Sequence, residues 1–229
     1  YNLATTFKSN GELVKAKFYF NKLLKIDDKN IKSYLLLGEV LCDTHSLNQG
    51  LKLFKKAIAL DEKDHTSHSF LLFYSNYCPN HTSEKIFSYY QQFDNKFGLP
   101  LRKEWQPFTP IKKPKKKLKI GYVSPDFRNH SMKGFLKPVL ANHNHEHFEI
   151  YAFAELSKED HVTKQYQSYV DHWIPTQNLT DQQMVQKIRD LEIDILVDLA
   201  GHTDGNRLGV FARKPAPVSV TWLGYGYTT

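Results

Sequence analysis

Apolar and small residues return along the first third of the chain at an interval of 34: Leu3 and Leu37, Ala4 and Gly38, Phe7 and Leu41, Ala16 and Gly50, Phe20 and Phe54, Leu23 and Ala57. The acidic pair Asp28 and Glu62 completes the series. A helix-turn-helix unit of that length cannot bury its apolar face alone, so such units stack on one another. The small residues are expected where the two helices of a unit approach most closely, and the large ones between units. Residues 1 to about 61 read as two helix pairs, the first incomplete at its start. A third unit opens at His65 in register, with Leu71 at the Leu3/Leu37 position, and loses the pattern at Asn76–Asn80. A further helix, from Ser83 to about Lys96, ends the array.

The pattern changes at Leu118. Runs rich in β-branched and aromatic residues, Leu118–Val123, Phe148–Ala154, Ile193–Leu199 and Val218–Leu223, read as buried strands. Between them Ser131–Asn142, His161–Val170 and Asp181–Leu191 have helical length. Thr180 followed three residues later by Gln183 has the capping-box arrangement. Strand, helix, strand in succession implies a parallel doubly wound sheet with right-handed crossovers. An interval of 34 is that of the tetratricopeptide repeat. The expected organisation is therefore a tetratricopeptide region with terminating helices over 1–97, a basic Pro-rich linker over 98–117, and a Rossmann-like lobe over 118–229.

Composition narrows the class. In 229 residues, 41% apolar content with 14% aromatic residues is enough for real cores. The charge of +7 is concentrated in Lys112, Lys113, Lys115, Lys116, Lys117 and Lys119. Such a run can meet phosphates, but no aromatic platform accompanies it, so it reads as a solvated linker and no nucleic-acid partner is expected. Pro107, Pro110 and Pro114 favour extended backbone there. No run approaches the roughly 20 apolar residues that span a bilayer, and no secretory signal opens the chain, so a cytoplasmic protein is expected. With Cys42 inside a repeat helix and Cys78 in a turn, neither a disulfide framework nor a cysteine nucleophile is expected. Tyr1 falls inside a repeat and Thr229 just after a strand-like run, so the chain reads as a piece of a longer protein.

In doubly wound sheets ligands bind beyond the carboxyl ends of the strands. The residues there are Ser124–Ser131, Asp198–Thr203 and Leu223-Gly224-Tyr225. Asp126, His130, His202 and Thr203 supply proton-transfer and hydrogen-bonding groups, and Gly201 and Gly224 would let backbone approach a ligand closely. Each also has a purely structural reading. Asp126 could cap the loop before Ser131, His130 could start a helix, His202 could hydrogen-bond within its turn, and the glycines could serve the turns alone. His143, His145 and His147 alternate without a closing ligand set, and no Asp-x-Asp occurs, so no metal is expected.

Three long segments, Leu118–Ser131, Ile193–Thr203 and Asn206–Tyr225, resemble the O-linked N-acetylglucosamine transferase and SPINDLY family, its bacterial branch in particular. The resemblance implies a glycosyltransferase of the GT-B fold, with two Rossmann-like lobes preceded by a tetratricopeptide superhelix that presents protein substrates. This chain would hold the end of the superhelix and the amino-terminal lobe. The carboxy-terminal lobe, which in the family grips most of the nucleotide, is missing from it, so the chain alone is expected to be inactive. By resemblance His130 lies near the reacting sugar, Asp126 is a nearby carboxylate, and His68, in His68-Ser69-Phe70-Leu71, is the candidate base. Gly201, His202, Thr203, Leu223, Gly224 and Tyr225 are the candidate donor-binding residues. Many relatives continue with Tyr-Pro-Gly where this chain has Tyr225-Gly226-Tyr227. The implied donor is UDP-N-acetylglucosamine, with no metal and no other cofactor, and the acceptors are Ser or Thr of proteins bound through the repeat groove. Transfer of fucose from GDP, as in SPINDLY relatives, and a non-catalytic scaffold are the alternatives.

Overall fold

Two neighbouring turns follow the 34-residue interval closely. Asp27 Oδ1 accepts the main-chain N–H of Lys29, and Asp61 Oδ1 accepts that of Lys63. Three residues further on, Asn30 and Asp64 cap the helices that follow by accepting from N–H groups of their first turns. The computed structural model in which these contacts occur describes residues 1–108 and 116–224. It divides into two units, Tyr1–Phe93 and Asp94–Thr229.

The first unit consists of α1 (Asn2–Ser9), α2 (Leu13–Ile26), α3 (Ile31–Asp43), α4 (Leu47–Leu60), α5 (His65–Ser75) and α6 (Ser83–Phe93). The small residues lie where expected: Ala4, Ala16 and Ala57 are buried. At Gly50 a Cβ would run into the Gly38 carbonyl oxygen and the Cys42 thiol, so α3 and α4 cross with backbone nearly in contact. Phe20 and Phe54, large residues of the same series, are fully enclosed, each such burial contributing about 1.5–3 kcal/mol. Leu3 departs from the expectation. It is 51% exposed while its counterpart Leu37 is buried, because α3 is flanked by α2, α4 and α5 whereas α1 packs on α2. Cys42 and Cys78 are free thiols.

The second unit opens with a π-turn, Asp94–Gly98, and a 3-10 helix, Leu99–Glu104. The sheet follows: β1 (Leu118–Ser124), α7 (Lys133–Ala141), β2 (Phe148–Ala154), α8 (His161–Gln167), β3 (His172–Pro175), α9 (Asp181–Asp190), β4 (Ile195–Asp198), α10 (Leu208–Ala212) and β5 (Val218–Thr221). All pairings are parallel and the order is β3-β2-β1-β4-β5. Ile120, Tyr122, Ile150 and Ala152 face Leu136, Leu140, Val162 and Tyr166 of α7 and α8. Tyr151, Phe153 and Leu196 face Met184, Val185 and Ile188 of α9. Both faces are thus covered by helices, as a parallel sheet requires.

Several elements differ from the sequence reading. β3 falls just beyond the run expected to be helix, because α8 stops at Gln167. The short α10 lies in a stretch with no helical pattern long enough to read. The Val218 run does form a strand, but it is not a buried one: Val218 is 48% and Val220 44% exposed. Among the described residues β5 pairs only with β4 at the end of the sheet, and alternation of apolar residues marks a strand without saying that anything covers it.

In the segment read as a linker, Trp105 Nε1 donates to Ala212 O at 2.7 Å, and Glu104 takes Arg213 Nε at 2.8 Å through Oε2 and Arg189 Nη2 at 3.0 Å through its carbonyl. Two of the lysines in the basic run are held as well. Lys116 pairs with Asp194 at 2.9 Å, and Lys119 Nζ donates to Leu191 O. Pro110, Lys112, Lys113, Pro114 and Lys115 lie outside the described residues.

Candidate active site

The strand order places a topological switch between β1 and β4: from β1 the chain runs outward through β2 to β3, then returns to β4 on the other side of β1. Loops leaving the two strands diverge there and open a crevice at their carboxyl ends. A cavity of about 780 Å³ occupies this end of the sheet. Its walls come from the loop after β1 (Pro125, Asp126, Arg128, His130), the segment after β2 (Glu155–Asp160), Gln177 after β3, and Thr203–Gly205 after β4.

Asp126 is buried at the head of its loop. Its main-chain N–H donates to Ser124 Oγ, Arg128 Nη2 donates to its Oδ1 at 3.0 Å, and its Oδ2 lies 3.8 Å from His130 Nδ1. The Met132 N–H approaches the same imidazole nitrogen at 3.4 Å. Asp126 and His130 therefore form a carboxylate–imidazole pair on the cavity wall.

Thr203 joins them in the lining, its hydroxyl donating to Ala200 O at 2.8 Å. Gly201, His202, Leu223 and Gly224 are not among the lining residues. Gly201 has φ +55° and its N–H donates to Asp198 Oδ2; a Cβ on it would strike the Gly224 carbonyl. The two glycines allow backbone to meet backbone here. Leu223 packs on the core between sheet and α7/α8, and His202 is buried. Burial pushes the His202 imidazole down to about 4, so it is neutral at pH 7. Beside it Asp198 accepts from Ala200 N, Gly201 N and Thr221 Oγ1, while burial raises its pKa. Tyr225 lies outside the described residues.

His68 belongs to the helical unit. Its Nε2 stands 3.2 Å from Glu62 O, and Tyr34, 34 residues earlier, donates its hydroxyl to Asp28 O at 3.0 Å. The same repeat position makes the same contact with the carbonyl six residues before it. His68 thus has a structural explanation, since the interval of 34 pairs it with Tyr34 as it pairs Glu62 with Asp28.

Sequence reasoning passed over Arg207. Its guanidinium donates to Glu155 Oε2, Asp181 Oδ1, Thr176 O and Leu179 O at 2.8–3.0 Å, tying the segments after β2 and β3 to the start of α9. Burial opposes its charge, but the hydrogen bonds it donates to Glu155 and Asp181 prevail and raise its pKa further. Its only sequence signal was an arginine before an apolar segment. His143 meets Tyr122 OH at 2.8 Å, and His145 pairs with Asp171. Among the described residues no group of three or more His, Cys, Asp or Glu is placed to hold a metal ion, and no helix is long and apolar enough to cross a membrane.

A parallel sheet with its crevice at the switch point, in a chain that opens with helical repeats, has the form of a glycosyltransferase's amino-terminal lobe behind a tetratricopeptide array. The model of glycosyl transferase family 41 matches residues 96–229, and the chain belongs to that family. It is 32% identical over 158 residues to a probable UDP-N-acetylglucosamine-peptide N-acetylglucosaminyltransferase SPINDLY of Solanum lycopersicum, covering 67% of this chain and 17% of the relative. It is 35% identical over 144 residues to the corresponding SEC protein of Arabidopsis thaliana, covering 59% of this chain and 14% of that one. A mutant O-GlcNAc transferase from Thermobaculum terrenum superposes with a TM-score of 0.90 at 30% identity, over 97% of this chain and 42% of that structure. The chain thus spans about a sixth of the length of the curated relatives it matches.

Proposed function

We propose that this chain is part of a protein O-glycosyltransferase that moves N-acetylglucosamine from UDP-N-acetylglucosamine to Ser or Thr of cytoplasmic proteins, the helical repeats docking the acceptor. The observation that carries the reading is the Asp126–His130 pair on the wall of the switch-point cavity, inside the segment matched by family 41.

In this reaction the acceptor oxygen attacks the anomeric carbon from the side opposite the diphosphate, the bond to the diphosphate breaks with its electron pair, and configuration inverts. The acceptor proton must leave during attack. An imidazole nitrogen can take up and release a proton, which suits that role. In the proposed arrangement Nδ1 gives up the Met132 N–H that it accepts here at 3.4 Å, carries the hydrogen and turns it to Asp126, which leaves Nε2 of His130 to take the proton and the carboxylate to face the imidazolium. The present 3.8 Å separation tightens when substrates fill the cavity, as catalytic contacts do. Thr203 is the proposed further polar contact in the lining, and no metal takes part. Gly201, His202, Leu223 and Gly224 act behind the lining by fixing its shape.

The test is sugar transfer by the full-length protein, supplied separately with labelled UDP-N-acetylglucosamine and GDP-fucose. His130→Ala is expected to lower kcat by about 10²–10⁴-fold without changing the melting temperature. An unaltered rate sinks the assignment. His68→Ala in the same assay separates the candidate base of the helical unit from His130, and transfer only from GDP-fucose would overturn the donor.

A further inference from the structure

One carboxylate stands between the loop that carries His130 and the helix after β2. Asp160 caps α8: its Oδ1 accepts from Val162 N at 2.8 Å and Thr163 N at 3.0 Å, and Thr163 Oγ1 returns a contact to Asp160 N at 3.1 Å, a complete capping box. The other oxygen does something a cap does not require. Asp160 Oδ2 accepts the main-chain N–H of Asn129 at 2.7 Å, from a residue 31 positions earlier and directly before His130. It is the shortest of the main-chain contacts that Asp160 makes. The Asn129 side chain is held in turn by Lys133 Nζ at 2.6 Å, from the first turn of α7.

We propose that Asp160 is a positioning residue for the sugar-transfer site: its Oδ2 fixes the backbone of the β1–α7 loop at Asn129 and so sets where the His130 imidazole stands, while its Oδ1 independently caps α8. The inference rests on the reading of His130 given above. A carboxylate can serve both tasks because each oxygen accepts and neither donates. The N–H groups it accepts from, that of Asn129 foremost, hold the carboxyl down to about 2, so the clamp stays charged across any working pH. An acceptor atom near 3 Å from the anomeric carbon tolerates little misplacement, and about 1 Å costs on the order of 100-fold in rate.

The two tasks separate in a single substitution. Asparagine caps a helix about as well as aspartate. With its oxygen turned to Val162 and Thr163, however, it presents an NH₂ group to the Asn129 N–H, donor against donor. In the full-length protein Asp160→Asn is therefore expected to melt close to the wild type and to keep its KM for UDP-N-acetylglucosamine, with kcat lower by about 10- to 100-fold. Asp160→Ala is expected to lose both the rate and some thermal stability.

The decisive readout is a double-mutant cycle with His130→Ala. If Asp160 acts through His130, Asp160→Asn has little further effect once the imidazole is gone; a general structural role would multiply the two losses. Wild-type kcat in Asp160→Asn, or full multiplicativity in the cycle, overturns the proposal while leaving the function of His130 standing. Wild-type turnover in His130→Ala overturns the functional reading on which it rests.

Discussion

The helical unit and the sheet unit keep their order by different means. Residues 1–93 reuse one solution: aspartates 34 apart close equivalent turns, Asn30 and Asp64 cap equivalent helices, and Tyr34 and His68 reach equivalent carbonyls. Their packing is that of small residues against large ones. In the sheet unit single charged groups bind segments far apart in sequence: Arg207 to Glu155 and Asp181, Asp160 to Asn129, Asp198 to Thr221, Asp171 to the Ile150 N–H. Repetition spreads stability over many similar contacts. The loops of a parallel sheet have no such redundancy, and a few polar ties hold the cavity walls.

This contrast can be broken or sharpened in order of effect. Phe54→Ala empties a fully enclosed site between α3, α4 and α5 and is expected to cost about 3–5 kcal/mol. Hydrogen exchange should show the loss in α3–α5 amides while β1 and β2 stay protected; equal loss in both units would end the idea that they are separately stabilised. Arg207→Met removes the partner of Glu155 and Asp181 at a site only 14% exposed, and about 3 kcal/mol is expected. That loss should appear in the sheet unit, with the donor KM rising as the segments after β2 and β3 loosen. An unmoved donor KM would mean that the tie is not what shapes the cavity.

Acid acts most gradually, and a second buried group offsets part of it. His202 is held to about 4 in the fold, against about 6.5 when unfolded. Above 6.5 both states are neutral and the stability is fully present; between 6.5 and 4 only the unfolded chain takes up the proton, so stability declines. The loss should approach about 3 kcal/mol. Asp198 opposes it, because a carboxyl raised by burial becomes less costly as pH falls. Glu149 and Asp171, whose carboxyls are lowered by their hydrogen bonds despite burial, add to the loss at still lower pH. A melting profile of the sheet unit that is flat from pH 6.5 to 4 would refute the assignment to His202, and His202→Gln should flatten that part of the curve.

Legibility follows the same division. The repeat was readable because its period is printed in residue size, down to Gly38 facing Gly50. β1, β2 and β4 were readable from apolar runs, and the Thr180 capping box formed as its spacing implied. The residues after β1 and β4 also led to the cavity. Ties such as Arg207–Glu155, 52 residues apart, leave no local pattern. The capping box of α8 escaped because it uses Thr163 in place of Glu or Gln. That Gly201 and Gly224 approach each other was not legible, because sequence shows that a glycine permits close approach without showing what approaches.

The meeting of Gly201 with Gly224 sets a boundary on how this lobe can diversify. Neither position has room for a methyl group, so the passage between the β4 and β5 ends is closed to tailoring by side chains. New specificities would have to be written on the rim, at Ser157–Glu159 and at Thr203 and Asp204, where side chains already border the cavity.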